Sequence, residues 1–403
     1  MTQPAMLPIA PPTALDAVIQ HAIENASGWL GFDDFMALAL YAPGLGYYAN
    51  DLRKFGLMPG GQTGPGSDFV TAPEMSQHFG RTLARQVGQA LSATGTTEVW
   101  EFGAGSGALA DHLLQALGRQ VTRYTIVDVS GSLVARQRQR LAAYGDVVQW
   151  ATTLPAAMRG VVVGNEVLDA MPVKLLARVN GVWQERGVVM APTLLTASNA
   201  LPPEGAAISL GAARRETLHQ GRFQHADRPT VLRPPFEVPG SHDYLTEIHP
   251  QAEGFVRTLA DRLVQGAVFL IDYGFPEHEY YHPQRTQGTV MCHQGHLADA
   301  DALAQVGRKD ITAHVNFTGI ALAAQDAGLQ VLGYTSQGRF LLNCGIVDGA
   351  ENATLPERAM LQKLINEHEM GELFKVIGFA AKGMDVSEWS MLGFMAGDRT
   401  HTL

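Results

Sequence analysis

Apolar residues recur at helical spacing near the start of the chain, at Leu15, Val18, Ile19, Ala22, Ile23 and Ala26, with Thr13 in the capping position before them and Gly28 after them. That spacing predicts a helix. A second short helix is predicted over 34–41, stopped by Pro43-Gly44. Residues 56–67 hold five glycines and two prolines, a composition that no regular element tolerates, so a mobile loop is predicted there. Beyond it Pro73 suits a first helical turn, and Met75, Phe79, Leu83, Val87 and Leu91 form an apolar stripe.

From Glu98 the pattern changes to short apolar strands over 99–102, 124–129, 147–150 and 161–163, separated by helical stretches over 109–117 and 133–144. Such alternation implies right-handed crossovers and a parallel sheet. The rhythm breaks at Asn180-Gly181, which sits between two alternating runs and predicts a hairpin, so a β-rich insertion is placed at about 175–245. A helix over 251–264, a strand over 267–271, a helix over 319–327 and strands over 329–334 and 374–381 resume the sheet, the last of these closing it. The fold class is therefore α/β, a Rossmann-like doubly wound sheet. Residues 1–95 are expected to form a helical N-terminal cap, 96–383 the core, and 384–403 a C-terminal tail.

The chain has 403 residues, enough for one large domain with insertions or for two or three smaller ones. Apolar residues make up 46% and charged ones 17%, which excludes a disordered or coiled-coil protein. The net charge of −10, with no basic cluster longer than a pair such as Arg214-Arg215, gives no electrostatic reason to expect a nucleic-acid or membrane-surface partner. Two cysteines, Cys292 and Cys344, point to a reducing compartment, where both would be buried and inert. The first twenty residues carry Asp16 as their one charge, with four prolines interrupting the apolar positions, which predicts neither secretory nor transit signal. No apolar run approaches the length of a membrane span. The expectation is a cytoplasmic protein without stable membrane insertion.

Candidate chemistry begins at Glu101-Phe102-Gly103-Ala104-Gly105-Ser106-Gly107-Ala108, a strand entering a glycine turn and then a helix. Glycines allow close backbone approach, and the helix start offers free N–H groups to a ligand. The segment also fits the dinucleotide pattern through Gly103, Gly105 and Ala108, so it does not by itself choose a cofactor. Glu101 tips the reading toward S-adenosyl-L-methionine, whose amino or sulfonium end its carboxylate is placed to face. Asp128, at the end of the next strand, suits a ribose diol of either cofactor and equally suits capping the helix after Ser130. Asn165, Glu166 and Asp169 leave the fourth strand beside the switch point of the sheet, where a transferred methyl would lie. Two carboxylates there suit orienting a guanidinium and taking its proton; the same residues also suit an ordinary polar turn.

Three segments carry a resemblance: Asn165-Glu166-x-x-Asp169-Ala170-x-Pro172, the run from Gly66 to Gln77 reading GSDFVTAPEMSQ, and Asp310-Ile311-Thr312-Ala313-His314-Val315. Together they resemble the MidA family of methyltransferases, which includes the mitochondrial arginine methyltransferase needed for assembling respiratory complex I. The likeness runs from Tyr41-Ala42-Pro43-Gly44-x-Gly46-Tyr47-Tyr48 to the strand near Phe374. It implies a class I methyltransferase fold, S-adenosyl-L-methionine as cofactor, and a protein substrate, with a complex I subunit as the family precedent. It also implies that Asp68, Thr71, Pro73 and Glu74 form a lid over the cofactor. The chain departs from the family pattern at Met291, His293 and Asn316, where arginine, tyrosine and aspartate are usual.

Remaining candidates are His314, either a general base or a packed histidine; Asp272-Tyr273-Gly274, either lining the acceptor pocket or ending the fifth strand; and His278 with His282. The last two have metal-pair spacing, but Pro276 and Pro283 argue for a solvated loop, and no metal is expected. Two other functions stay open: an NAD-dependent oxidoreductase, and a non-catalytic assembly factor that binds S-adenosyl-L-methionine.

Overall fold

A computed structural model describes residues 12–50, 71–128, 130–191, 222–295, 297–348 and 353–403. Its central sheet contains β1 (Glu98–Phe102), β2 (Arg123–Val127), β3 (Val148–Ala151), β4 (Met158–Asn165), β5 (Leu263–Phe275), β6 (Gln330–Ser336) and β7 (Phe374–Ala380). Across the sheet they run in the order β3-β2-β1-β4-β5-β7-β6. The first five are parallel, and β7 is antiparallel to both β5 and β6. The last strand in sequence is therefore not an edge. Every residue of its run FKVIGFA is buried, which is the mark of a strand covered on both faces.

Strand order reverses between β1 and β4, which pair directly, with Phe102 opposite Gly164. The glycine turn and the Asn165 segment thus leave the sheet side by side, at the topological switch point where α/β sheets bind ligands.

One face of the sheet packs against α3 (Gln77–Thr94) and α4 (Ala108–Leu117), through Phe79, Leu83, Val87, Leu109 and Leu113. α5 (Gly131–Arg140) follows β2. The other face is covered by α6 (Pro250–Arg262) and α7 (Phe317–Asp326), through Val256, Leu259, Ile320 and Ala324. The apolar stripe read from Met75 to Leu91 is interrupted. A one-turn helix Ala72–Met75 ends at Ser76, which is extended (φ −156°, ψ 127°) and whose Oγ accepts from the His78 N–H to start α3.

A second, antiparallel sheet holds Leu30–Gly31, Lys174–Val179, Val182–Met190, Phe223–Pro229 and Tyr244–Ile248. The expected hairpin is present, with Asn180 (φ 51°) and Gly181 (φ 79°) both left-handed as the twist of a two-residue connection requires. This sheet shares a core with α1 (Ala14–Asn25) and α2 (Phe32–Tyr41): Ile19, Phe35 and Met36 pack with Leu175, Val188 and Phe223. Thr13 and Asp16 close a capping box at the start of α1.

Two expected boundaries are therefore corrected. Residues 1–95 do not form one cap, because α1 and α2 join the insertion while α3 is buried against the central sheet. Residues 384–403 do not form a free tail. Phe394 lies against Phe340 and Phe269, with ring centroids 5.4 and 6.5 Å away, and the Asp398 carboxylate accepts from the Tyr334 N–H at 2.9 Å. The expected loop over 56–67 and residues 192–221 of the insertion lie outside the described residues.

Candidate active site

Beyond the carboxyl ends of β1 and β4 opens a cavity of about 860 Å³. Its floor is the glycine turn. Gly103 (φ 64°), Gly105 (φ 52°) and Gly107 (φ 81°) are all left-handed, a conformation that a side chain resists, and a Cβ on Gly103 would stand 3.0 Å from Val167 Cγ2. Gly103 and Gly105 line the cavity, whereas Gly107 only starts α4.

Glu101 is 2% exposed and accepts from the Tyr124 hydroxyl at 2.6 Å. Burial pushes its carboxyl up to about 8, against the opposing Tyr124 hydrogen bond and with a further rise from Asp128. Asp128 is aimed by two donors: the Ser130 N–H and the Gln137 Nε2, each at 2.8 Å. Gln137 also donates to the Gly105 carbonyl at 3.0 Å, which ties the carboxylate to the glycine turn. The capping and ligand-binding readings of Asp128 are compatible, since its side chain meets the helix start and lines the cavity. A cradle of left-handed glycines flanked by two carboxylates fits the ribose and amino groups of S-adenosyl-L-methionine.

Thr71 and Pro73 line the cavity from the one-turn helix, but Glu74 does not. Its carboxylate is bonded by the Ser106 hydroxyl and by Arg140 Nη1, so it pins the one-turn helix to the glycine turn. Asp68 lies outside the described residues.

The cavity wall beyond β4 is acidic as well. Asn165 ends β4, and Glu166 and Asp169 follow it in a turn held by Asp272, whose Oδ2 accepts from the N–H groups of Val167, Leu168 and Asp169 at 3.1, 2.9 and 3.2 Å. Asp272 is thus scaffolding and Tyr273 lines the cavity. Glu166 is left-handed (φ 55°), a conformation that costs a non-glycine residue free energy and is found where geometry matters. Burial and then Asp169 push its carboxyl up to about 8, against hydrogen bonds from Asn165 Nδ2 and from the Ala72 N–H. Burial likewise pushes Asp169 up to about 6, opposed by the Tyr273 hydroxyl at 2.6 Å. Asp169 is 5% and Asn165 9% exposed, yet Asp169 Oδ1 and Asn165 Oδ1 have no hydrogen-bond partner among the described residues. Two buried acceptors without donors are costly unless something else supplies the protons.

His314 stacks on Phe275, with centroids 5.3 Å apart, and meets the Tyr273 ring edge-on at 5.0 Å. Burial, aided by Arg285, lowers it to about 4, so it is neutral near pH 7 and a poor proton acceptor.

The residues missed in sequence are Tyr41, Tyr48, Asp310 and Thr312. The Tyr41 and Tyr48 rings stack at 5.6 Å, and the Tyr48 hydroxyl donates to Asp310 Oδ2 at 2.9 Å. In the three-stranded sheet of Met291–Gln294, Leu297–Asp299 and Asp310–Thr312, alternation does the sorting. Met291, His293, Asp310 and Thr312 face the cavity, while Cys292 and Ile311 enter the core of α1 and α2. Cys292 and Cys344 are buried, with thiols pushed up to about 12 by that burial. Asn316 is absent from the cavity wall: its Oδ1 caps α7 by accepting from the Gly319 N–H at 3.2 Å. His278 and His282 are exposed around the one-turn helix Glu277–Tyr280, and among the described residues no group of three or more His, Cys, Asp or Glu could hold a metal ion.

Residues 82–335 match the family model for S-adenosyl-L-methionine-dependent methyltransferases. A crystal structure of a candidate methyl transferase from Burkholderia thailandensis, bound to S-adenosyl-homocysteine, superimposes with a TM-score of 0.84 at 45% identity, covering 99% of this chain and all of that one. The mitochondrial protein arginine methyltransferase NDUFAF7 of Danio rerio is 26% identical over 89% of this chain and 86% of its own. The Caenorhabditis elegans homologue is 24% identical over 80% and 74%. Both are named as mitochondrial proteins, which overturns the expected cytoplasmic localisation. No helix among the described residues is long and apolar enough to cross a membrane.

Proposed function

This chain belongs to the family of S-adenosyl-L-methionine-dependent methyltransferases, and from that premise we propose that it methylates an arginine side chain of a protein substrate. The observation that carries the proposal is the charge inside the cavity. Glu101, Asp128, Glu166, Asp169 and Asp310 line it, and no lysine or arginine stands among its described lining residues. Such a wall is costly to bury alone and suits a cationic visitor.

Glu101, Gly103, Gly105 and Asp128 hold the cofactor, with Thr71 and Pro73 covering it and Glu74 latching that cover. Bound there, S-adenosyl-L-methionine supplies an electrophilic methyl group on a sulfonium. Asn165, Glu166 and Asp169 orient the acceptor. A free guanidinium holds its proton tightly in water, so methylation needs a base beside it. Glu166 takes that proton at its carboxylate once the arriving cation has favoured its ionised form. His314 acts as a wall and not as the base, because burial keeps its affinity for protons low.

The relatives' names make an arginine of a protein the first acceptor to try, and the family precedent makes a complex I subunit or its bacterial counterpart the first substrate. The test is incubation with methyl-labelled cofactor and a lysate of cells lacking the enzyme. Label in one protein band, released as methylarginine on hydrolysis, is expected. Label confined to small molecules or nucleic acid would overturn the protein acceptor, and cofactor binding without any label would favour an assembly factor.

A further inference from the structure

We propose that Asp310, held by Tyr48, is the third carboxylate of a socket with Glu166 and Asp169 that selects a planar guanidinium over a single-nitrogen cation. The inference rests on the reading above, that the cofactor's methyl is turned toward the Asn165–Asp169 turn.

The three carboxyl groups arrive from separate places. Glu166 and Asp169 come from the turn after β4, and Asp310 from the cavity face of the three-stranded sheet. They stand near enough to interact, for Glu166 feels the charge of both Asp169 and Asp310. Two of them are built alike. Tyr273 gives its hydroxyl proton to Asp169 Oδ2 at 2.6 Å, and Tyr48 gives its own to Asp310 Oδ2 at 2.9 Å. A phenol on one oxygen fixes the rotation of the carboxylate, and Asp169 Oδ1 is left buried with no hydrogen-bond partner among the described residues. The two tyrosines are themselves braced. Tyr48 stacks on Tyr41, whose hydroxyl donates to the Ala170 carbonyl at 2.8 Å, and Tyr273 lies edge-on to His314.

Carboxylates on two walls of one buried chamber call for donors that diverge in a plane. A guanidinium offers five N–H donors in a fixed fork, enough to meet Asp169 and Asp310 while one nitrogen faces the methyl. An ammonium has one nitrogen, and spending its donors on two walls leaves that atom turned from the methyl. The aromatic faces of Tyr41 and Tyr48 suit a flat cation in the same way. Asp310 therefore contacts the acceptor, and Tyr48 is a positioning residue that acts through it.

The test uses the full chain loaded with S-adenosyl-homocysteine, titrated with Nα-acetyl-arginine amide or Nα-acetyl-lysine amide and followed by saturation-transfer NMR. Wild type should bind the arginine compound at least about tenfold more tightly than the lysine compound. Asp310→Asn should remove that preference while binding S-adenosyl-homocysteine as wild type does. Tyr48→Phe covers the case in which Asp310→Asn does not fold. Losing the phenol leaves Asp310 harder to ionise, so arginine binding should weaken and its acid limit should move to higher pH, with lysine binding unchanged. Equal affinity for the two compounds in wild type, absent arginine binding, or an unaltered arginine affinity in either folded variant overturns the proposal. Failure of wild type to bind S-adenosyl-homocysteine would instead strike the reading on which it rests.

Discussion

On one side of the cavity, Glu101, Gly103, Gly105 and Asp128 come from two neighbouring strands and the turn between them; on the other, Tyr41, Glu166, Tyr273 and Asp310 come from four segments scattered along the chain. The cofactor side is positioned mainly by backbone, through left-handed glycines, a helix start and the ends of parallel strands, with Tyr124 and Gln137 aiming its two carboxylates. The acceptor side is positioned by side chains holding other side chains, Tyr273 on Asp169, Tyr48 on Asp310 and Asp272 on three N–H groups. A site positioned by backbone should break all at once when the backbone is obstructed. A side-chain network should fail in parts, and mainly in turnover and selectivity.

The strongest way to break that contrast is Gly105→Val. Position 105 is left-handed and faces the ligand space, so a β-branched side chain meets both conformational strain and the ligand. Calorimetry with S-adenosyl-homocysteine should show affinity reduced by more than about 10²-fold, the scale of a few kcal/mol of strain and exclusion. Affinity within about twofold of wild type would mean that the glycine turn is only a packing device.

Glu166→Gln should divide the two halves. Shape is kept and the charge beside the acceptor is lost, so turnover should fall by roughly 10²-fold or more while the affinity for S-adenosyl-homocysteine stays within about threefold. Parallel losses in both would show that this turn belongs to the cofactor side.

A smaller effect separates the halves by pH. Glu101 and Glu166 are both raised by burial to about 8 from an unperturbed 4.5. The native state therefore holds protons that the unfolded chain has released, and this stability is complete below about 4.5 and lost as pH rises through about 8. Across that window the melting temperature should fall with pH, and Glu101→Gln or Glu166→Gln should each flatten the decline. Saturating cofactor should flatten only the part due to Glu101, whose carboxylate gains a cationic partner, leaving the part due to Glu166 until an acceptor arrives. Identical pH slopes for wild type and both variants would remove the proposed proton uptake.

The same contrast explains what could be read from sequence. Glu101 to Ala108, Asp128 and the turn after β4 lie at strand ends, where the alternation of strand and helix already places them. Tyr48 and Asp310 carry no periodicity, and the contact between them spans a separation in sequence that no local pattern records. The signal lay in the quoted motifs, since Tyr41 and Tyr48 flank Pro43-Gly44 and Asp310 opens the segment that ends in His314-Val315. The stretch expected as a tail over 384–403 carries no strand or helix periodicity, and only the groove between Phe340 and Phe269 makes its Phe394 part of the core. The 1–95 unit joined the helices on either side of the Gly-rich stretch because all of them precede the first strand of the central sheet, although they serve different cores.

The smallest effect is expected at Asn316, the departure from the family pattern that lies behind the acceptor wall. Its side chain is 3% exposed and its Oδ1 accepts from the Gly319 N–H to begin α7. Asn and Asp are nearly equivalent at a helix N-cap, and a carboxylate there also meets the positive end of the helix dipole, which offsets part of the cost of burying its charge. Asn316→Asp should therefore change stability by less than about 1 kcal/mol and leave the preference for arginine over lysine where it was. Met291 and His293, the other two departures, face the cavity across from Thr312 and Asp310, so His293→Tyr should alter acceptor affinity while leaving cofactor affinity alone. Steady-state kinetics with arginine and lysine acceptors, run on both variants, distinguishes them. A change of acceptor preference in Asn316→Asp larger than in His293→Tyr would place selectivity in the scaffold behind the socket and not in the side chains that line it.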